Sequence, residues 1–174
     1  MFRRFQAECD PQFDSLDDWT RQTVGELAAK LDALVVYPFD KPALPFLRWA
    51  RRSGAGHVSP LGLNIHAVYG LWHAYRAALL FSRRIHLPAS DAQANPCKSC
   101  VDKPCLHACP VSAFNGSAYD VDSCTQHLRS SAGQPCMAGG CLARRACPVG
   151  QEYTYHPSQM QFHMRAFLRN MDRS

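Results

Sequence analysis

Eight of the nine cysteines lie between Cys97 and Cys147, in two runs that close on the same tetrapeptide pattern. The first run is Cys97-x2-Cys100-x4-Cys105-x3-Cys109-Pro110, ending Ala108-Cys109-Pro110-Val111. The second is Cys136-x4-Cys141-x5-Cys147-Pro148, ending Ala146-Cys147-Pro148-Val149, and Cys124 stands between the two. Short cysteine spacings that end in Cys-Pro are the ligand pattern of bacterial-type iron–sulfur clusters. Eight thiolates provide for two [4Fe-4S] clusters with none left over, and the expected function is to move electrons.

Three ligands of one cluster must come from a tight loop wrapped around it, so only a few residues separate them. Cys97, Cys100 and Cys105 meet that condition. Proline fixes φ and removes a backbone donor, which turns the chain away from the first cluster. In two-cluster ferredoxins the cysteine before the proline ligates the other cluster. The expected ligand sets are therefore crossed. Cys97, Cys100, Cys105 and Cys147 serve cluster one, and Cys109, Cys124, Cys136 and Cys141 serve cluster two. Crossing places the clusters close enough for rapid electron exchange.

Two rival uses of the cysteines follow from the stretched gaps, four residues within the first run and four and five within the second. Together with eight histidines the cysteines can build structural zinc sites, which favour gaps of two to four residues between paired ligands. A disulfide framework requires an oxidising compartment. Met1-Phe2-Arg3-Arg4 leads into a polar, acidic stretch and not the apolar core of a signal peptide, so a cytoplasmic location is expected. No run of 18 or more apolar residues is present, and no membrane partner is expected.

The formal charge of +5 overstates how basic a loaded protein would be. Each oxidised cluster with its four thiolates carries a net charge of about −2, and two of them bring the total to about +1. The basic groups Arg48/Arg51/Arg52 and Arg83/Arg84 read first as solvated surface. Arg144 and Arg145, just before Cys147, are placed to raise the potential of the adjacent cluster. His107, inside the first run, is placed to donate a hydrogen bond to a sulfur. Cys9 stands far from the others and is left out of the ligand sets.

The expected fold class is α+β: a small mixed α/β part at 1–88, a linker at 89–96, a ferredoxin-like two-cluster module at 97–150 and a C-terminal helix at 151–174. Ser15-x-x-Asp18 resembles a capping box and opens a helix that the apolar spacing extends to Leu34. Leu34–Tyr37 reads as a short buried strand, and Phe46 to Arg52 as a second short helix stopping at Gly54. Leu61, Leu63 and Ile65 alternate as in a strand, Gly70 suggests a hairpin bend, and Tyr75–Phe81 has helix-forming composition. Pro157 opens a last helix with Met160, Met164, Phe167, Leu168 and Met171 on one face, suited to cover a cluster or to dock on the first domain.

Pro38-Phe39-Asp40-Lys41-Pro42, Arg51-Arg52-Ser53-Gly54-Ala55-Gly56, Leu61 to Gly70 and then the Cys97 run follow one another in an order similar to that of the epoxyqueuosine reductase family. Val121-Asp122-Ser123-Cys124 resembles that family's lone cysteine between its two runs. The resemblance implies a cobalamin-binding domain followed by a two-cluster ferredoxin-like domain, together reducing an epoxide on a tRNA base. It implies Asp40 as the candidate proton donor. Against the family pattern, residues 1–88 correspond to a truncated part of the cobalamin domain, and His57-Val58-Ser59-Pro60-Leu61-Gly62 replaces its Gly-Lys-rich signature. About 85 residues that must also supply their own core are few for so large a cofactor. The expected function is accordingly a ferredoxin-type electron carrier with a redox partner protein, not a stand-alone catalyst. The alternatives are a cobalamin-linked reductase acting on tRNA and a zinc-stabilised interaction module.

Overall fold

The computed structural model describes residues 1–9, 15–86 and 93–172. It is a mixed helix-and-sheet, α+β protein in which helix predominates. The chain divides into two compact units, Met1–Trp49 with Ala74–Ser90, and Ala50–His73 with Asp91–Ser174. Residues 50–73 therefore belong with the cysteine-bearing region, not with a domain running continuously from 1 to 88. The start of the expected linker, up to residue 92, lies outside the described residues.

In the first unit, α1 (Phe2–Glu8) and α2 (Leu16–Lys30) meet through Phe5 and Trp19, whose rings lie edge to face at 5.8 Å. Ser15 caps α2, its Oγ accepting from the Asp18 N–H at 3.2 Å, and Asp17 and Asp18 sit in the first turn where the helix dipole favours them. The helix stops at Lys30 and not at Leu34, because Asp32 takes a left-handed conformation with φ 51°. The chain then enters β1 (Ala33–Val36), and α3 (Phe46–Arg52) follows over the expected residues.

The next two strands, β2 (His57–Val58) and β3 (Asn64–Ile65), belong to the second unit. After them β4 (Ala78–Phe81) returns to pair antiparallel with β1, Ala33 opposite Phe81 and Val36 opposite Ala78. Helix-forming composition at 75–81 yields here to the need of β1 for a partner. Nor is β1 buried as expected. A two-stranded sheet leaves one face open, and Leu34 is 74% exposed.

In the second unit β2 and β3 form a hairpin, and the chain turns again so that His66 and Gly70 bridge each other. Gly70 (φ +57°) and Gly150 (φ +70°) cross without side chains between them. A Cβ on Gly70 would stand 1.9 Å from the Val149 carbonyl oxygen, and one on Gly150 would stand 2.5 Å from the Tyr69 carbonyl carbon. This crossing seats the hairpin against the segment that follows Cys147-Pro148. The core of the unit is Leu61, Ile65, Leu71, Ala143, Cys105 and Cys147, with Cys97, Cys109 and Cys141 packed on it.

Short helices fill the gaps between cysteines: α4 (Pro96–Ser99), α5 (Pro104–His107), α6 (Val121–Arg129), α7 (Gln134–Gly139) and α8 (Leu142–Arg145). The last helix, α9 (Pro157–Met171), packs on α7. Gly140 makes that approach possible, since a Cβ there would lie 2.8 Å from Met160 Sδ.

Candidate metal centre

The gaps that look too long in the sequence are taken up by a left-handed turn at Lys103 in the first run and by helical turns in the second. Asn95 caps α4 through its Oδ1, which accepts from the Cys97 N–H at 3.0 Å, and Pro96 occupies the first helical position. Left-handed Lys103 (φ 39°) reverses the chain after Cys100, and Pro104 restarts it as α5, which carries Cys105. In the second run α7 carries Cys136, Gly140 turns the chain, and Cys141 is the N-cap residue of α8.

The structure brings the eight thiols together as two quartets. Cys97, Cys100, Cys105 and Cys147 line one cleft of about 20 Å³ with Ile65, Pro60 and Pro148. Cys109, Cys124, Cys136 and Cys141 line a second cavity of about 290 Å³ with Tyr119, His127, Met164 and Phe167. Electrostatics divide the thiols in the same way. Burial above all, and then the neighbouring Cys147, Cys105 and Cys100, push the Cys97 thiol up to about 11. Cys124 is raised by burial and then by Cys109 and Cys136, and Cys141 by burial and then by Cys136 and Cys124. None of the nine cysteines is in a disulfide.

Among the described residues no group of three or more His, Cys, Asp or Glu side chains is drawn up around the position of a metal ion. Each quartet lines a space. Burial raises the pKa of three thiols in each quartet, Cys97, Cys105 and Cys147 in one and Cys124, Cys136 and Cys141 in the other, so anything that binds these as thiolates must bring positive charge and release protons.

Donors point at the sulfurs. In the first quartet the Cys105 sulfur accepts from its own N–H and that of Leu106, and Cys147 from the Val149 N–H. In the second, every sulfur accepts. Cys109 takes the Ala113 N–H at 3.4 Å, Cys136 the Leu142 N–H, and Cys141 the N–H groups of Ala143 and Arg144 that open α8. Cys124 takes the Tyr119 hydroxyl.

Tyr119 reaches that position through a tight hairpin. Asn115 Oδ1 accepts from the N–H groups of Ser117 and Ala118, Phe114 and Tyr119 bridge, and their rings stack at 4.5 Å. Asp120 then caps α6, accepting from the Ser123 N–H at 3.0 Å. On α6, Cys124, His127 and Leu128 fall on the face that lines the cavity. His127 Nε2 is buried there and has no hydrogen-bond partner among the described residues. Neither Tyr119 nor His127 stands out in the sequence. The one signal that could have found them is their position five residues before and three after the lone Cys124.

The other expected residues fall elsewhere. His107 is exposed on α5. Arg144 donates through Nε to the Leu71 carbonyl at 3.1 Å and lies over the rings of Trp72 and Tyr155, at 4.6 and 4.8 Å, which ties α8 to the hairpin region. Arg145 exerts its charge on Cys136 in the second quartet, not on the adjacent Cys147. In the first unit, Asp40 accepts the Tyr37 N–H at 2.8 Å and pairs with Arg21 at 3.0 Å. The backbone hydrogen bond first, and then Arg21, hold its carboxyl below the usual range, the reverse of what a proton donor at neutral pH needs. Asp40 fastens a turn. Of the Met and Phe stripe on α9, Met164 and Phe167 line the second cavity.

Comparison with protein-family models, curated proteins and solved structures finds no match to this chain.

Proposed function

We propose that the protein is a ferredoxin-type electron carrier that binds one [4Fe-4S] cluster in each cysteine quartet and exchanges single electrons with a redox partner. The observation that carries this reading is the crossed division of the thiols. Cys109 leaves the first run for the second cavity, and Cys147 leaves the second run for the first cleft. Four thiols on each space match the four cysteine ligands of a [4Fe-4S] cluster. The backbone N–H groups aimed at sulfur are the kind of donor that stabilises cluster thiolates.

When bound, each cluster supplies a one-electron couple. The residues of the chain do the rest. Cys105 and Cys147 on one side and Cys109 and Cys141 on the other share a single packed core, which sets the two sites side by side. Ile65, Pro60 and Pro148 enclose the first site in apolar surface, and Met164 and Phe167 flank the second. The reductase alternative loses its acid, since Asp40 is committed to a turn and an ion pair.

The test is anaerobic reconstitution with iron and sulfide, followed by metal and sulfide analysis. About eight iron and eight labile sulfide per chain, with broad absorption near ~400 nm, is the expected result. A colourless protein that takes up two zinc ions and no iron would overturn the proposal.

A further inference from the structure

The two quartets have the same four donors and unequal surroundings, and that inequality bears on the direction in which electrons run. Cluster potentials are set by net charge, hydrogen bonds to the sulfurs and solvent exposure. Each added donor stabilises the reduced, more negative cluster and so raises its potential.

A phenol and an imidazole, Tyr119 and His127, line the second cavity beside its four sulfurs, while the lining of the first cleft includes neither kind of donor. The Tyr119 hydroxyl bonds Cys124 directly. His127 Nε2, buried in the wall of the same cavity, has nothing to bond among the described residues. A buried polar atom without a partner is costly, and few are tolerated in native structures. A sulfur of a cluster in that cavity would give the Nε2–H tautomer its acceptor. Positive charge does not separate the sites, since Lys103 acts on Cys97 as Arg145 acts on Cys136, so the difference lies in the two side-chain donors.

Resting on the two-cluster reading, we infer that the second quartet holds the higher-potential cluster, with the Tyr119 hydroxyl and the His127 Nε2–H as the side-chain donors that raise it. Electrons taken from a one-electron reductant then pass from the first site to the second and collect there. The chain is a relay with a downhill end, and that end is the cavity under Met164 and Phe167.

The experiment is a redox titration of the anaerobically loaded full chain, followed by electron paramagnetic resonance. Two separated midpoint potentials are expected. Tyr119→Phe and His127→Leu should each lower the upper one, leave the lower one in place and narrow the gap. His127→Gln, which keeps an N–H donor, should recover part of the loss. Equal potentials in the unaltered protein, a shift of the lower potential, or an upper potential that stays put in both variants would each overturn the inference. If a variant sheds the second cluster, the unaltered protein after exchange into deuterium oxide decides. Stronger deuteron coupling on the higher-potential cluster supports the inference, and equal or reversed coupling refutes it. The two proposals fail separately. A chain that takes up no iron defeats the carrier reading, whereas eight irons with potentials indifferent to Tyr119 and His127 defeat only this one.

Discussion

The two cysteine quartets share a count of four thiols and differ in their surroundings. The first is tight, bordered by Ile65 and several prolines, and reached by the Gly70–Gly150 crossing. The second is roomier, bears a phenol and an imidazole, and is partly covered by a helix from outside both cysteine runs. Spacing along the chain places the thiols, and the elements folded over the spacing decide what surrounds them. Two sites with the same count of thiols can therefore hold the same cofactor at different potentials.

The largest expected effect breaks the quartets apart. Removing a buried ligand from one site, as in Cys105→Ala or Cys136→Ala, should lower iron from about eight to about four per chain and abolish one resonance signal while the other survives. Loss of both signals in either variant would show that the sites are not separable. A next, smaller effect distinguishes the surroundings. Gly70→Ala forces a left-handed alanine against the Val149 carbonyl, at a cost of about 3 kcal/mol. Its damage should fall on the first site, because the Val149 N–H donates to Cys147. Chelator challenge of the loaded variant would read this as faster loss of the first signal alone.

A third outcome concerns pH. Burial and neighbouring thiols raise the Cys97 pKa from 9.0 to about 11. A thiol that is harder to ionise in the fold binds more protons there than in the unfolded chain. Its contribution to stability is complete below pH 9 and disappears as the pH rises to about 11. The metal-free protein should lose thermal stability across that window. The loaded protein should not, since its thiolates are already ionised and ligated. Equal slopes for the two forms would contradict the account. The smallest effect is expected at Asp40→Asn, which weakens a turn in the first unit. It should leave the iron content and both potentials unchanged, and any change in either would reinstate Asp40 as part of the redox machinery.

Much of this was legible in the residues themselves. The Cys-Pro pairs are local signals, because a proline constrains its own backbone whatever packs around it. The Ser15 cap and the Phe46–Arg52 helix are likewise local and readable. What escaped depends on distant contacts. Apolar spacing carried the first helix through Leu31 to Leu34, where left-handed Asp32 in fact ends it and β1 begins. Tyr75–Phe81 has the composition of a helix, and only the pairing with β1 makes its last four residues a strand. The hairpin at 57–70 joins the cysteine unit through a backbone crossing at Gly70 and Gly150, which leaves no apolar pattern to detect. Tyr119 and His127 are single residues with no period. They become notable only when the 114–119 hairpin and α6 carry them to one sulfur-lined cavity.

The crossed pairing is the claim on which the rest stands, and one comparison of variants tests it most directly. Cys109→Ala, Cys100→Ala and Cys141→Ala are loaded anaerobically, reduced, and measured by electron paramagnetic resonance. The account predicts that Cys109→Ala loses the same signal as Cys141→Ala and keeps the one that Cys100→Ala loses. If Cys109→Ala instead loses the signal that Cys100→Ala loses, the ligands follow the order of the sequence and the crossed account is contradicted.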